Sequence, residues 1–210
     1  MIKIKGTGLK TRLLNIRDEL WDRRLGINTF DFSPAIGMPG DPQWQGHYVT
    51  YTYRGVFSAL KHVGLGHHDT FVDLGSGLGR AVFAAASLGA RSIGVEINPT
   101  LHEGAHRNLS LCSINRELIN FRCMSAEEYG HDDTTVLYMF NPFGAGTMEA
   151  VFLQLAATFR ENPINELRII YINPILDGVI EKAGTGWLQR YDHWQPKPGS
   201  KYAISFWNTI

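Results

Sequence analysis

Hydrophobic and polar positions along this chain change period twice. In residues 9–25, "LKTRLLNIRDELWDRRL", Leu13, Ile16, Leu20 and Trp21 recur at helical spacing with charges between them, which predicts an amphipathic helix with those four facing a core. The next stretch, "DFSPAIGMPGDPQWQGH", has no period and is rich in Pro and Gly, so it reads as an ordered loop or lid. "TYRGVFSALKHVGL" then sets Val56, Phe57, Leu60 and Val63 on one side of a second helix.

From residue 71 short apolar runs alternate with helical ones. "TFVDLG", "SIGVEI", "INFRCM", "TVLYMF" and "LRIIYI" read as buried strands. "RAVFAAASLG", closed by Gly89, "PTLHEGAHRNLSLCS", opened by Pro99, and "GTMEAVFLQLAATFR" read as the helices between them. Two further strand-like runs, "GWLQRYDHW" and "KYAISFWNTI", close the chain with no long helix between them, which predicts an antiparallel hairpin at a sheet edge. Alternating strands and helices imply right-handed crossovers and a parallel sheet. The expected fold is α/β: a three-layer, Rossmann-like, seven-stranded, mostly parallel sheet with an antiparallel C-terminal edge strand. We expect residues 1–46 to be a helical and loop extension and residues 47–210 the sheet domain.

Composition adds exclusions. The chain has 210 residues, 44% of them hydrophobic and 19% charged, enough for one well-buried domain. Twenty basic and twenty acidic residues cancel, so no global positive field attracts nucleic acid. Cys112 and Cys123 are too few for a disulfide framework and suit a reducing compartment. Neither a signal-peptide core nor a membrane-length apolar run occurs, so we expect a cytoplasmic protein without a membrane partner.

The chemistry concentrates at "FVDLGSGLGR", residues 71–80. A strand that runs into a glycine-lined turn brings bare backbone close to a ligand, and in open parallel sheets ligands sit at the carboxyl ends of the strands. A dinucleotide fingerprint is G-x-G-x-x-G. Here Gly75, Gly77 and Gly79 make G-x-G-x-G, with Arg80 where the third glycine would fall. Asp73 lies where it would repel a pyrophosphate but attract an ammonium. Glu96 follows about 20 residues on, where a carboxylate can accept both ribose hydroxyls. An ammonium site beside a ribose site matches S-adenosylmethionine.

Together, "FVDLGSGLGR…GVEINP…YMFNPFG" resembles the class I S-adenosylmethionine-dependent methyltransferases, from about residue 47 to the C-terminus. The resemblance implies that Asp73 and the Gly75, Ser76, Gly77 and Gly79 loop hold the methionine moiety. It implies that Glu96 takes the ribose, that Ile97 packs on adenine, and that Ser125 and Ala126 occupy the adenine-reading position. Serine departs there from the family's usual Asp-Ala, so Glu127 or a backbone amide is the alternative contact. Asn141 and Phe143, within "NPF", are similar to the motif of amino-methyltransferases acting on nucleobases and glutamine, less one proline. Asn173 and Pro174 end the next strand.

A second similarity is to the non-SET histone-lysine methyltransferases and small bacterial relatives. It turns on "FVDLGSG", the asparagine–aromatic pair and the loop "HYVTYTYRG". It implies that Tyr48, Tyr51 or Tyr53 closes over the cofactor. The expected reaction is methyl transfer to a nitrogen or oxygen nucleophile of a protein lysine or small molecule. Should a general base be needed, His47 and Tyr51 are the candidates.

Other constellations compete. "HEGAH" places His102, Glu103 and His106 in the H-E-x-x-H spacing of zinc hydrolases, without a third ligand at a familiar distance. A non-catalytic S-adenosylmethionine-binding protein is the other alternative. Trp44, Trp187, Trp194 and Trp207 are candidates for an acceptor pocket or for ordinary packing. His67, His68 and Asp69 read as a solvated turn.

Overall fold

A computed structural model describes residues 9–30, 49–161, 166–196 and 201–210, and of residues 9–15 only the backbone. The element order is α1 (Leu9–Leu25), α2 (Tyr53–His62), β1 (Thr70–Leu74), α3 (Arg80–Ala86), β2 (Arg91–Glu96), α4 (Pro99–Leu111), β3 (Ile119–Cys123) and β4 (Val136–Phe140). There follow α5 (Ala145–Glu161), β5 (Arg168–Ile172), α6 (Asp177–Ala183), β6 (Leu188–Trp194) and β7 (Ile204–Thr209). The seven strands form one sheet in the order β3-β2-β1-β4-β5-β7-β6. The first five are parallel; β7 runs antiparallel to both β5 and β6. The tail is thus an antiparallel hairpin whose inner strand is β7 and whose outer, edge strand is β6.

Strand order reverses between β1 and β4, where crossovers leave in opposite directions and open a crevice at the carboxyl ends. Successive strand residues face opposite layers. Phe71, Tyr138, Ile170 and Phe206 enter the core under α2 and α3, while Val72, Leu137, Ile169 and Trp207 enter the one under α5. α3 is buried along its whole length, and its alanines let it lie close to the sheet. α4 begins with Pro99 and is capped by Asn98, whose Oδ1 accepts the N–H groups of Thr100 and Leu101. No helix among the described residues is long and apolar enough to cross a membrane.

Three expectations need correction. Ile16 and Leu20 of α1 are 50% and 55% exposed, whereas Asp18, Asp22 and Leu25 are buried with Trp21 packed beside them. The helix is turned by polar demand: a buried guanidinium, that of Arg80, requires counter-charge, and Asp18 provides it at 2.9 Å. Leu13 lies outside the described side chains. Asp69 is buried rather than solvated. Burial raises its pKa, but the Gly66 N–H, the Thr135 hydroxyl and Arg168 outweigh that and hold it below the usual carboxylate range. α6, between β5 and β6, was not expected, being only seven residues long.

Candidate functional site

A cavity of about 480 Å³ opens at the carboxyl ends of β1, β2, β4 and β5. One wall is the turn from β1 into α3. Gly75, Gly77 and Gly79 all have positive φ, at 81°, 54° and 90°. The N–H groups of Gly75 and Ser76 donate to the Val95 carbonyl at 2.8 and 3.0 Å, which ties the turn to β2. A Cβ on Gly75 would stand 2.5 Å from Cβ of Pro142 across the crevice, so this position admits nothing larger. Gly79 does not line the cavity; a Cβ there would meet the Phe121 ring at 2.6 Å, and its role is packing.

The two carboxylates facing the cavity are treated differently by their surroundings. Asp73 is buried, and its carboxyl lies well above the usual range because of burial and then of Glu96, with no donor among the described residues offsetting either. Glu96 is also raised by burial, but the N–H groups of Asn98, Gly77 and Ile97 offset part of that. Its Oε2 accepts from Gly77 and its Oε1 from Asn98, each at 2.8 Å. Each oxygen has a further lone pair to offer a ligand. An acid as poorly compensated as Asp73 calls for a cation.

Beyond the carboxylates, Ile97, Met124, Ser125 and Ala126 line one end of the cavity. Glu127 is exposed and takes no part in the lining. Asn141, Pro142, Phe143 and Asn173 line the opposite side. Both asparagines have positive φ, 44° and 56°, directly before a proline, a conformation that costs strain. The Asn141 Oδ1 and the Ser76 Oγ are buried without hydrogen-bond partners among the described residues.

Of the tyrosines, Tyr48 lies outside the described residues, as do His47 and Trp44. Tyr51 lines the cavity. Its ring fits only because residue 55 is glycine, where a Cβ would fall 2.1 Å from Tyr51 Cε1. Tyr51 meets Phe140 at 5.9 Å and Tyr202 at 6.4 Å between ring centroids, and Phe140 meets Tyr202 at 4.9 Å. Tyr53 is not a lid. It is fully buried behind the wall, where its N–H donates to Asp18 at 3.1 Å and its hydroxyl to Asp22 at 2.6 Å. Burial, then Asp22, raises that hydroxyl's pKa far above the tyrosine range.

Trp187 and Trp207 are core residues, and Trp194 packs on His62 and Phe206; none lines the cavity. Residue patterns missed Phe140, Tyr202 and Arg80 as wall residues. Only Arg80 carried a signal, as a lone charge opening an otherwise apolar, alanine-rich helix.

His102 and His106 do stand together on α4, their rings 4.6 Å apart, and burial followed by the His106 charge lowers the pKa of His102. Among the described residues no group of three His, Cys, Asp or Glu side chains is placed to hold a metal ion.

Comparison with known proteins bears on the fold. Residues 48–133 match the family model "Histone methylation protein DOT1". An RNA methyltransferase from Salinibacter ruber, solved with S-adenosyl-L-homocysteine, superposes with a TM-score of 0.57 at 21% identity over 76% of this chain and 93% of its own. The fold is that of the class I methyltransferases. The same fold relates the chain to the CcbJ methyltransferase from Streptomyces caelestis (TM-score 0.58, 15% identity, 74% and 89% covered). The tRNA (uracil-54, C5)-methyltransferase of Pyrococcus abyssi, also with S-adenosyl-L-homocysteine, follows (TM-score 0.57, 18% identity, 78% and 40% covered). No curated protein matches the chain. Within this class I methyltransferase fold, the crevice at the β1–β4 reversal holds the cavity described above.

Proposed function

We propose that the protein is an S-adenosylmethionine-dependent methyltransferase, acting on a nitrogen or oxygen nucleophile of a protein lysine or a small molecule. The observation that carries this is Asp73: a buried acid with no compensating donor among the described residues, at a glycine turn, on the same cavity as a donor-supported Glu96. The residues fit that cofactor. Asp73 takes the ammonium, Glu96 the ribose hydroxyls, and Ile97 with Ala126 an adenine face, within a volume in the usual range for such ligands.

The bound cofactor would supply an electrophilic methyl group on sulfur. What the chain supplies is position and dryness. The Gly75–Gly77 turn sets the cofactor's depth. Asn141 Oδ1, buried and unpartnered, accepts an N–H or O–H from the incoming acceptor and so aims its lone pair. Phe143 and the rings of Tyr51, Phe140 and Tyr202 wall off water on that side. Asn141 cannot take a proton, so the acceptor must present an unprotonated lone pair when it meets the methyl group. The match to the DOT1 model favours a lysine side chain.

Calorimetric titration of S-adenosylmethionine and S-adenosylhomocysteine into wild type and Asp73→Ala tests the reading. Micromolar-range binding, weakened more than about tenfold by the substitution (about 1.4 kcal/mol), is expected. Equal affinity in the two proteins would remove Asp73 from the site, and no binding to wild type would remove the reading itself.

A further inference from the structure

β4 and β5 end in the same way. They are parallel neighbours with Phe140 opposite Ile172, and each runs into an asparagine followed by a proline, Asn141-Pro142 and Asn173-Pro174. Both asparagines line the cavity, and both have positive φ, 44° and 56°. Glycine would adopt that backbone without strain, so the turn by itself does not ask for a carboxamide. Nor does either carboxamide brace its own turn. The Asn141 Oδ1 is buried without a partner among the described residues, and Asn173 is bonded there through its backbone only, to Ala203 and Ile175. The charged residues of the cavity wall, Asp73, Arg80 and Glu96, all belong to β1, α3 and β2. The β4–β5 end therefore offers neutral groups alone among the described residues.

We propose that Asn173 and Asn141 together hold both N–H groups of a primary amine, and that the enzyme therefore adds a single methyl group to each acceptor. The proposal rests on the S-adenosylmethionine reading above. Neighbouring strands lie about 5 Å apart, and the register carries that spacing into the two asparagines. Two oxygens that each accept an N–H of one nitrogen at about 2.9 Å, with a tetrahedral angle between the bonds, stand about 4.7 Å from each other. With both N–H groups engaged, the lone pair of a neutral amine is fixed in direction. It forms the C–N bond as the C–S bond breaks and that electron pair passes to sulfur; the methylammonium product gives its extra proton to solvent on release. No carboxylate among the described residues stands at this end to hold the amine protonated, which suits a nitrogen that must keep its lone pair. A hydroxyl, or an amine that already carries a methyl group, has one hydrogen to offer two oxygens. One carboxamide is then left desolvated and unpaired, a penalty of about tenfold or more in binding.

The test uses two nitrogen-for-sulfur analogues of S-adenosylhomocysteine, each with an added two-carbon arm that ends in a primary amine or in a dimethylamine. Both arms are cationic; they differ in the N–H groups they carry. Each analogue is titrated calorimetrically into wild type and Asn173→Gly, with S-adenosylhomocysteine alongside. Wild type is expected to bind the primary-amine arm about tenfold or more tightly than the dimethylamine arm. Asn173→Gly keeps the backbone bonds of the turn. It should lose about tenfold in affinity for the primary amine, while the dimethylamine and S-adenosylhomocysteine stay within about twofold of wild type. Equal binding of the two arms by wild type overturns the proposal. So does a variant that holds the primary amine as tightly as before; a dimethylamine that gains affinity there was excluded by bulk, not by a missing N–H. A parallel loss for all three ligands also overturns it and ties Asn173 to the cofactor or the fold. Failure of wild type to bind S-adenosylhomocysteine removes the cofactor reading, a separate outcome.

Discussion

The two halves of the cavity are built by opposite means. On the β1–β2 side, positive φ angles fall on Gly75 and Gly77, which adopt them freely, and N–H groups of the turn donating to the Val95 carbonyl and the Glu96 carboxylate fix it. On the β4–β5 side, positive φ falls on Asn141 and Asn173, each before a proline, the only non-glycine cases among the described residues. One half is relaxed; the other is strained. Strain of this kind persists only where the surroundings over-determine it. Here it falls on two asparagines that line the crevice, in the half we assign to the acceptor.

The halves touch where Gly75 faces Pro142, and breaking that contact should have the largest effect. Gly75→Ala forces a side chain into left-handed backbone and sets its Cβ 2.5 Å from the proline ring. A cost of about 3 kcal/mol and a Tm lower by roughly 6–12 °C are expected. Because the turn itself moves, S-adenosylhomocysteine affinity should fall by about 10²-fold. Thermal unfolding and calorimetry check both; a stable variant of undiminished affinity would mean that the halves do not depend on this contact.

Asp73→Asn sharpens the contrast with a smaller effect of opposite sign. Burial and Glu96 raise the Asp73 pKa well above its ordinary value, so the folded protein holds that proton more tightly than the unfolded chain does. Its contribution to stability is therefore full below the unfolded value, about 3.9, and is lost as pH rises through the folded one. Removing the charge should make the ligand-free protein more stable at neutral pH, by about 1 kcal/mol, and flatten the decline of stability above pH 4. Glu96, raised by burial as well, keeps part of that slope. Ligand reverses the order: at a hundred times the wild-type Kd it adds about 2.7 kcal/mol to wild type, and about 1.4 kcal/mol or less to a variant that binds tenfold or more weakly. A variant less stable than wild type at every pH would show that Asp73 supports the fold rather than a ligand.

What the residue pattern disclosed follows the same division. The glycine turn, Asp73 and Glu96 lie within one βαβ unit, so local spacing is enough to place them on one cavity. The strands were legible because a parallel interior demands apolar runs, and the hairpin because no helix-length segment separates its strands. The aromatic wall was not, because Tyr51, Phe140 and Tyr202 come from three segments that only the sheet order brings together. α1 misled for a different reason. Its apolar residues have helical spacing, but its orientation is decided by Asp18 and Asp22 reaching Arg80, Tyr53 and Thr29, and no hydrophobic count registers that. Tyr53 was misread with it, since a tyrosine two residues from a cavity wall can as easily point behind that wall.

The smallest effect tests whether the strained half can be relaxed alone. Asn173 ends β5 with φ at 56°, its N–H donating to the Ala203 carbonyl at 2.9 Å and its own carbonyl accepting from Ile175 at 2.8 Å. Glycine keeps both backbone bonds and adopts this φ without strain, though it loses more entropy on folding. The two terms nearly cancel, and Asn173→Gly should gain about 0.5 kcal/mol, a Tm higher by roughly 1–2 °C. Its affinity for S-adenosylhomocysteine should stay within about twofold of wild type, because the β1–β2 half is untouched. A larger loss of affinity would place Asn173 on the cofactor and move the boundary between the halves from the Gly75–Pro142 contact to β5. A Tm below wild type would show instead that the Asn173 side chain steadies the turn, so that the positive φ there is supported by its own contacts and not imposed by the strands around it.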